Sequence, residues 1–194
     1  MTNGGVVGIL WTLISVLVTG CCCFSIIQPA WIIHPRTLNS LGMCSYCVRD
    51  LRMRDIARVC GIYGGTFDLS NLPTNAWQAA SVLYSGGCVL LLLGVVLALS
   101  TLCLPSPSNR RMSMVTGYIQ IMAVILLLAG LLVFPVGFDS MFVRHYCPGS
   151  RMYDAGSCSV GWSYILAVVG TSLGIFCPFL SHYTDVKLRD EEPL

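Results

Sequence analysis

Charge is what this sequence has least of. Only 10% of its 194 residues are Asp, Glu, Lys or Arg, against about 25% in an average soluble domain. A chain that is 55% hydrophobic by count cannot cover itself with polar groups in water, so its composition is that of a membrane protein. The formal net charge of +2 lacks the basic footprint of a nucleic-acid binder. No N-x-S/T sequon occurs, so glycosylation gives no hint of sidedness. Histidine is scarce as well. None of His34, His145 and His182 forms a close sequence motif with a carboxylate and a nucleophile, and there is no Walker loop and no H-E-x-x-H. His145-x-Cys147 has a metal-like spacing, but a loop histidine beside a disulfide explains it more simply. No catalytic residue, metal or cofactor is expected.

What is present is four long apolar runs, about residues 6–28, 79–104, 114–138 and 160–183, each free of Asp, Glu, Lys and Arg. A helix needs roughly 20 residues to cross a hydrocarbon core of about 30 Å, and a helix satisfies its own backbone in lipid. The expectation is an all-α transmembrane four-helix bundle, one domain over residues 1–194. The first run follows an uncharged "MTNGG" and is too long for a signal-peptide core. Cys21, Cys22 and Cys23 make a poor cleavage site, so the run reads as a permanent span. Four spans put both termini on one side. Loops 29–78 and 139–159 share the other side, and a short turn, Pro105 to Ser113, joins spans two and three.

Two rules disagree about which side is outside. Arg36, Arg49, Arg52, Arg54, Arg58, Arg144 and Arg151 lie in the two loops, against Arg110, Arg111, Lys187 and Arg189 opposite. A count of basic residues therefore sends the loops to the cytoplasm. Cysteine argues the reverse, because Cys44, Cys47, Cys60, Cys147 and Cys158 all sit in the loops and paired loop cysteines fit an oxidising compartment. In "CPGSRMYDAGSC", Pro148, Gly149 and Gly156 supply the turn residues, and a Cys147–Cys158 bridge would close the loop. In the first loop three cysteines compete. Cys44-x-x-Cys47 is open to a redox reading, or with Cys60 and His34 to a Cys₃His zinc site. No second tight pair supports zinc, and Cys47 with Cys60 is the expected bridge, with Cys44 left over.

Here the residues resemble a known family. Trp31 in "QPAWII", then "LGMCSYC", then Cys60 is similar to the claudin-superfamily pattern W…G-L-W-x-x-C…C. Gly42, Met43, Cys47 and Cys60 take the matching positions, and Cys44 falls where that pattern has its second tryptophan. More closely, the chain resembles the lipoma HMGIC fusion partner-like (LHFPL) tetraspan family. Cys60, Gly61, Tyr63, Pro73 and Trp77 look like its approach to span two. Phe134, Pro135, Gly137 and Phe138 look like its exit from span three, and Cys158, Gly161, Trp162 and Tyr164 like its entry to span four. The resemblance implies two extracellular loops, cytoplasmic termini, and a small extracellular antiparallel sheet built mostly from loop one with a contribution from loop two. "MCSYCVRD" and "ARVCGIY" suit short strands, and "DLRMRDI" a strand or ribbon with alternating faces.

Within the spans, Gln120 suits a helix–helix hydrogen bond, and Gly170-x-x-x-Gly174 suits close helix approach, either to a partner's helix or inside the bundle. Cys103 and Cys177 are candidates for palmitoylation. "DVKLRDEEPL" reads as a solvated tail. With no ionisable residue in the spans, transport or membrane enzymology is disfavoured. The resemblance implies a non-enzymatic accessory subunit at the plasma membrane, bound to a larger integral channel, receptor or adhesion protein. Claudin-like adhesion through self-association is the alternative. Membrane lipids are the remaining partner.

Overall fold

The computed structural model describes residues 3–49, 58–66, 68–102 and 106–190. Among the described residues the α-helices and strands follow in this order: α1 (Asn3–Ile27), β1 (Ile32–Ile33), β2 (Ser40–Leu41), β3 (Ser45–Arg49), β4 (Arg58–Ile62), α2 (Asn75–Thr101), α3 (Ser106–Val133), α4 (Met141–Tyr146), β5 (Ser159–Val160), α5 (Trp162–Gly174) and α6 (Phe176–Asp190). Among the described residues four stretches are long and apolar enough to cross a membrane: Val6–Ile27, Asn75–Thr101, Arg111–Asp139 and Trp162–Tyr183. Their outer faces carry Leu13, Val89, Val96 and Leu132, each about 62–63% exposed. Large apolar residues in such density are tolerated where the solvent is lipid.

Local chemistry explains where the helices begin and end. α1 stops before Pro29, whose ring disfavours helical geometry in the preceding residue. α2 starts at Asn75, four residues before the apolar run, because Thr74 Oγ1 accepts a hydrogen bond from the Trp77 amide at 3.0 Å. The turn expected from Pro105 to Ser113 is corrected. From Ser106 onward it is already helix, because Pro107 sits in the first turn, where its missing N–H costs nothing. The fourth span is not one helix. Pro178 has no N–H to offer Gly174, and α5 gives way to α6 at Ile175, whose amide reaches only the Ser172 carbonyl at 3.3 Å. In the tail, the backbone stays helical to Asp190.

Among the described residues the strands form one antiparallel sheet in the order β4-β3-β2-β1-β5. Ile32 pairs with Leu41 on one side and with Val160 on the other, so β5 of the second loop joins strands of the first. The segment "DLRMRDI" lies outside the described residues.

The chain divides into two compact units, and each long helix contributes a portion to both. The helical unit holds residues 1–22, 86–127 and 169–194. Its buried polar centre is Gln120, which accepts from Trp11 Nε1 at 3.1 Å and donates to Ser15 Oγ at 2.8 Å, joining α3 to α1. Three buried hydroxyls of α1 donate to their own helix: Thr12 to the Gly8 carbonyl, Ser15 to the Trp11 carbonyl and Thr19 to the Ser15 carbonyl. Such internal satisfaction is what an apolar solvent demands. The sheet-bearing unit holds residues 23–85 and 128–168. Replacing Gln120 with Leu should strand the Trp11 N–H and cost about 1 kcal/mol. A lower unfolding temperature in detergent is the expected result, and an unchanged one would show that the network holds nothing.

Candidate interaction surface

The sheet-bearing unit is organised around Trp31. Its Nε1 donates to the Ser25 carbonyl at 2.7 Å. That carbonyl would ordinarily bond the amide four residues on, but residue 29 is proline and has none. The ring meets Phe134, Tyr84 and Tyr164 with centroids 4.8, 5.5 and 5.5 Å away, all edge-on. The Tyr84 hydroxyl is in turn 2.9 Å from Ser25 Oγ.

The exit from α3 repeats the device. Pro135 cannot bond the Leu131 carbonyl, and the Tyr164 hydroxyl donates to it instead at 3.1 Å. The Tyr153 hydroxyl donates to the Leu132 carbonyl at 2.9 Å, and Trp77 Nε1 to the Phe134 carbonyl at 3.2 Å. Trp77 also stacks on Phe134 at 5.0 Å. It lies so close to Gly137 that a Cβ there would stand 2.5 Å from its Cδ1. Gly161 is tighter still, since a Cβ would meet the Ala30 carbonyl oxygen at 2.0 Å, and its own amide donates to the Trp31 carbonyl at 2.8 Å. Gly42 passes its carbonyl to the Tyr63 hydroxyl at 3.2 Å. Gly61 pairs with Tyr46 across β3 and β4. Thus Trp31, Gly42, Gly61, Tyr63, Trp77, Pro135, Gly137 and Gly161 gather in one unit. Trp162 is set apart, exposed, with its ring 6.0 Å from Phe24.

Two disulfides close the loops. Cys47 and Cys60 are directly opposite each other in β3 and β4 and are bonded. Cys147 and Cys158 are bonded across the second loop. A bridge spanning about a dozen residues stabilises by roughly 3 kcal/mol. Cys44 is half-buried and unbridged. Burial pushes its thiol pKa up, and the Ser81 hydroxyl offsets part of the rise without forming a well-aligned hydrogen bond. It borders, with Tyr63, Leu69 and Leu72, a cavity of about 70 Å³. Tyr63 is pushed well above the ordinary phenol range by burial, then by its neighbours Cys44, Tyr146 and Tyr46, and stays neutral.

Toward solvent the unit presents both charge and apolar surface. Arg36 is exposed, and Arg49 and Arg58 face each other across β3 and β4. Like charges in that register repel. Met141 is 88% exposed, and Met152, Leu69 and Val59 are exposed with it. Leu38 and Tyr153 are the described non-glycine residues with left-handed φ, +57° and +62°, and both are more than half exposed. Both are held locally: the Leu38 amide donates to the His34 carbonyl at 2.8 Å and the Tyr153 amide to the Pro135 carbonyl at 3.3 Å.

The remaining histidine and span residues have local explanations. His34 Nδ1 accepts the amides of Arg36 and Thr37 and shapes the β1–β2 connection. His145 lies beside Tyr146, and Asp139 pairs with Arg144 at the surface. Gly170 packs against Cys21 and Cys22, and Gly174 against Val18 and Val124, so these glycines serve contacts inside the helical unit. Residues 170–174 also spell G-x-S-x-G, but Ser172 is exposed within α5 rather than raised on a strand-to-helix turn. Cys177 is fully buried, which removes it as an acylation site, and Cys103 lies outside the described residues. Among the described residues no cluster of three or more His, Cys, Asp or Glu could hold a metal.

Four apolar spans and a disulfide-stapled five-stranded sheet define a claudin-like, multi-pass integral membrane protein. A family model described as lipoma HMGIC fusion partner-like protein matches residues 7–183, and the chain belongs to that family, a non-enzymatic tetraspan one. It is 36% identical over 177 residues to the LHFPL tetraspan subfamily member 7 protein of Xenopus tropicalis, covering 91% of this chain and 90% of the relative. It is 27% identical to the member 2a protein of Danio rerio, with 94% and 88% covered. It is 29% identical to the member 4 protein of Mus musculus, with 93% and 72% covered.

Gly161→Ala should lower stability by about 1–3 kcal/mol, because backbone rather than a yielding side chain meets the new methyl. Gly20→Ala, with nothing within 4 Å, should be neutral or slightly stabilising. Unfolding temperatures of the two variants in detergent test the contrast.

Proposed function

We propose that the chain is an accessory subunit of a larger integral membrane protein, a channel, receptor or adhesion protein, and aids its assembly, trafficking or gating. In this reading the sheet is extracellular, the termini are cytoplasmic, and the protein works at the plasma membrane. The observation that carries it is the surface of the sheet-bearing unit. Apolar side chains at Leu38, Val59, Leu69, Met141 and Met152 are exposed there together with Arg36, Arg49 and Arg58. β4, an edge among the described strands, offers a further place for a partner to dock. The paired loop cysteines support an extracellular sheet. The four apolar runs, free of Asp, Glu, Lys and Arg, favour a supporting role over a conducting one.

The test is affinity purification from native membranes in mild detergent, with quantitative mass spectrometry. Stoichiometric recovery of one larger membrane protein is the expected result. Recovery of the chain alone in higher assemblies would replace this reading with claudin-like adhesion. Cys47→Ser and Cys60→Ser should each cause intracellular retention, measured by surface biotinylation, and Cys44→Ser should be milder. Normal delivery of both bridge variants would remove the staple from the account.

A further inference from the structure

The break in the fourth span opens a cleft in the helical unit. Ile121, Val124 and Ile125 of α3 and Ile175, Pro178 and Phe179 around the break line a cavity of about 380 Å³. A second cavity, about 200 Å³, shares Ile121, Pro178 and His182 with the first and is bordered by Met114, Tyr118 and Ser181. The two form one amphipathic groove. Phe179 is 69% exposed and Ile125 52%, so the groove is open to whatever surrounds the spans.

Length and charge select the occupant. From Met114 to Ile125 the α3 wall runs about 16 Å at roughly 1.5 Å per residue. Half of a hydrocarbon core of about 30 Å is close to that, so the groove spans one leaflet and suits an acyl chain better than a crossing helix. Its Met114 end is polar. The Tyr118 phenol is 71% exposed, His182 is exposed, and Arg111, also exposed, falls on the same α3 face as Met114 and Tyr118. The runs free of Asp, Glu, Lys and Arg end here, at Met114 on α3 and Tyr183 on α6, and that composition suits headgroup level for Arg111 and His182. The Ser181 hydroxyl is already committed to the Ser113 carbonyl, tying α6 to α3 at this end of the groove.

We propose that this groove binds one phospholipid with an anionic headgroup, an acyl chain lying along Ile121 to Ile125 and the phosphate beside Arg111, Tyr118 and His182. The site rests on the orientation proposed above only for its leaflet. With the termini cytoplasmic, it opens to the leaflet that carries anionic lipid. Binding in detergent does not depend on orientation or on a partner, so failure here and failure of the accessory reading are separable.

The experiment is native mass spectrometry of the purified full chain titrated with phosphatidylserine or phosphatidylcholine. One phosphatidylserine per chain should be retained in preference to phosphatidylcholine. Ile121→Trp, which fills the groove, should weaken retention about tenfold, a loss of about 1.4 kcal/mol. Val89→Trp, at an exposed apolar position outside the groove, should not. Arg111→Gln should reduce the phosphatidylserine preference about fivefold. Unfolding temperatures identify misfolded variants, with Ile125→Trp replacing Ile121→Trp if the latter fails to fold. Equal retention by Ile121→Trp and Val89→Trp, no headgroup preference, an undiminished preference in folded Arg111→Gln, or displacement of phospholipid by a sterol would each overturn the proposal.

Discussion

A proline at a membrane helix end removes one N–H and leaves one carbonyl without a partner, and in lipid no water replaces it. The sheet-bearing unit meets this condition twice in the same way. Pro29 frees the Ser25 carbonyl and Trp31 Nε1 takes it. Pro135 frees the Leu131 carbonyl and the Tyr164 hydroxyl takes it. In both cases the donor is the polar tip of a large ring, so satisfying the backbone also brings apolar area into the core. The two solutions meet, because Trp31, Tyr164 and Phe134 are in mutual ring contact. Gly137 and Gly161 are glycine because the elements so joined come closer than any side chain allows.

The sheet follows from that knot. Trp31 is the residue before β1, and its carbonyl accepts from Gly161, the residue after β5. The first and second loops are therefore locked together where the aromatic cluster forms. β2, β3 and β4 extend outward from β1 in sequence, and the Cys47–Cys60 bridge ties the two strands farthest from the knot. The disulfide adds to the ring contacts of Tyr46 and Tyr63, which already tie this part of the sheet to Trp77. This part also carries Arg49, Arg58 and Val59 to the surface.

Much of the architecture was legible in the sequence because it follows from missing charge. Four uncharged runs are four spans, and their cores agree with the helices. Their ends were less legible. Thr74 extends α2 backward by capping it, and Pro107 is absorbed into a first turn, both local effects that hydropathy does not register. The break before Pro178 could have been read from that proline alone. α4 is only six residues, capped by Ser140 Oγ, and has no periodicity long enough to detect. The recurring Trp, Gly and Pro positions were visible as a resemblance, but not their reason. A carbonyl orphaned at residue 131 and a hydroxyl at residue 164 are joined by tertiary packing alone. Cys177 looked available in sequence and proves to be enclosed by its neighbours.

The functional reading requires that the stapled sheet be accessible from outside the cell, and the basic residues of the loops argue against that orientation while the disulfides argue for it. The direct measurement is labelling of single introduced cysteines with a membrane-impermeant maleimide in intact cells, at the exposed Thr37 of the β1–β2 connection and at Asn109 near the start of α3. The account predicts that Thr37→Cys is labelled on intact cells and Asn109→Cys only after permeabilisation. The opposite pattern would put the sheet in the cytoplasm and contradict it.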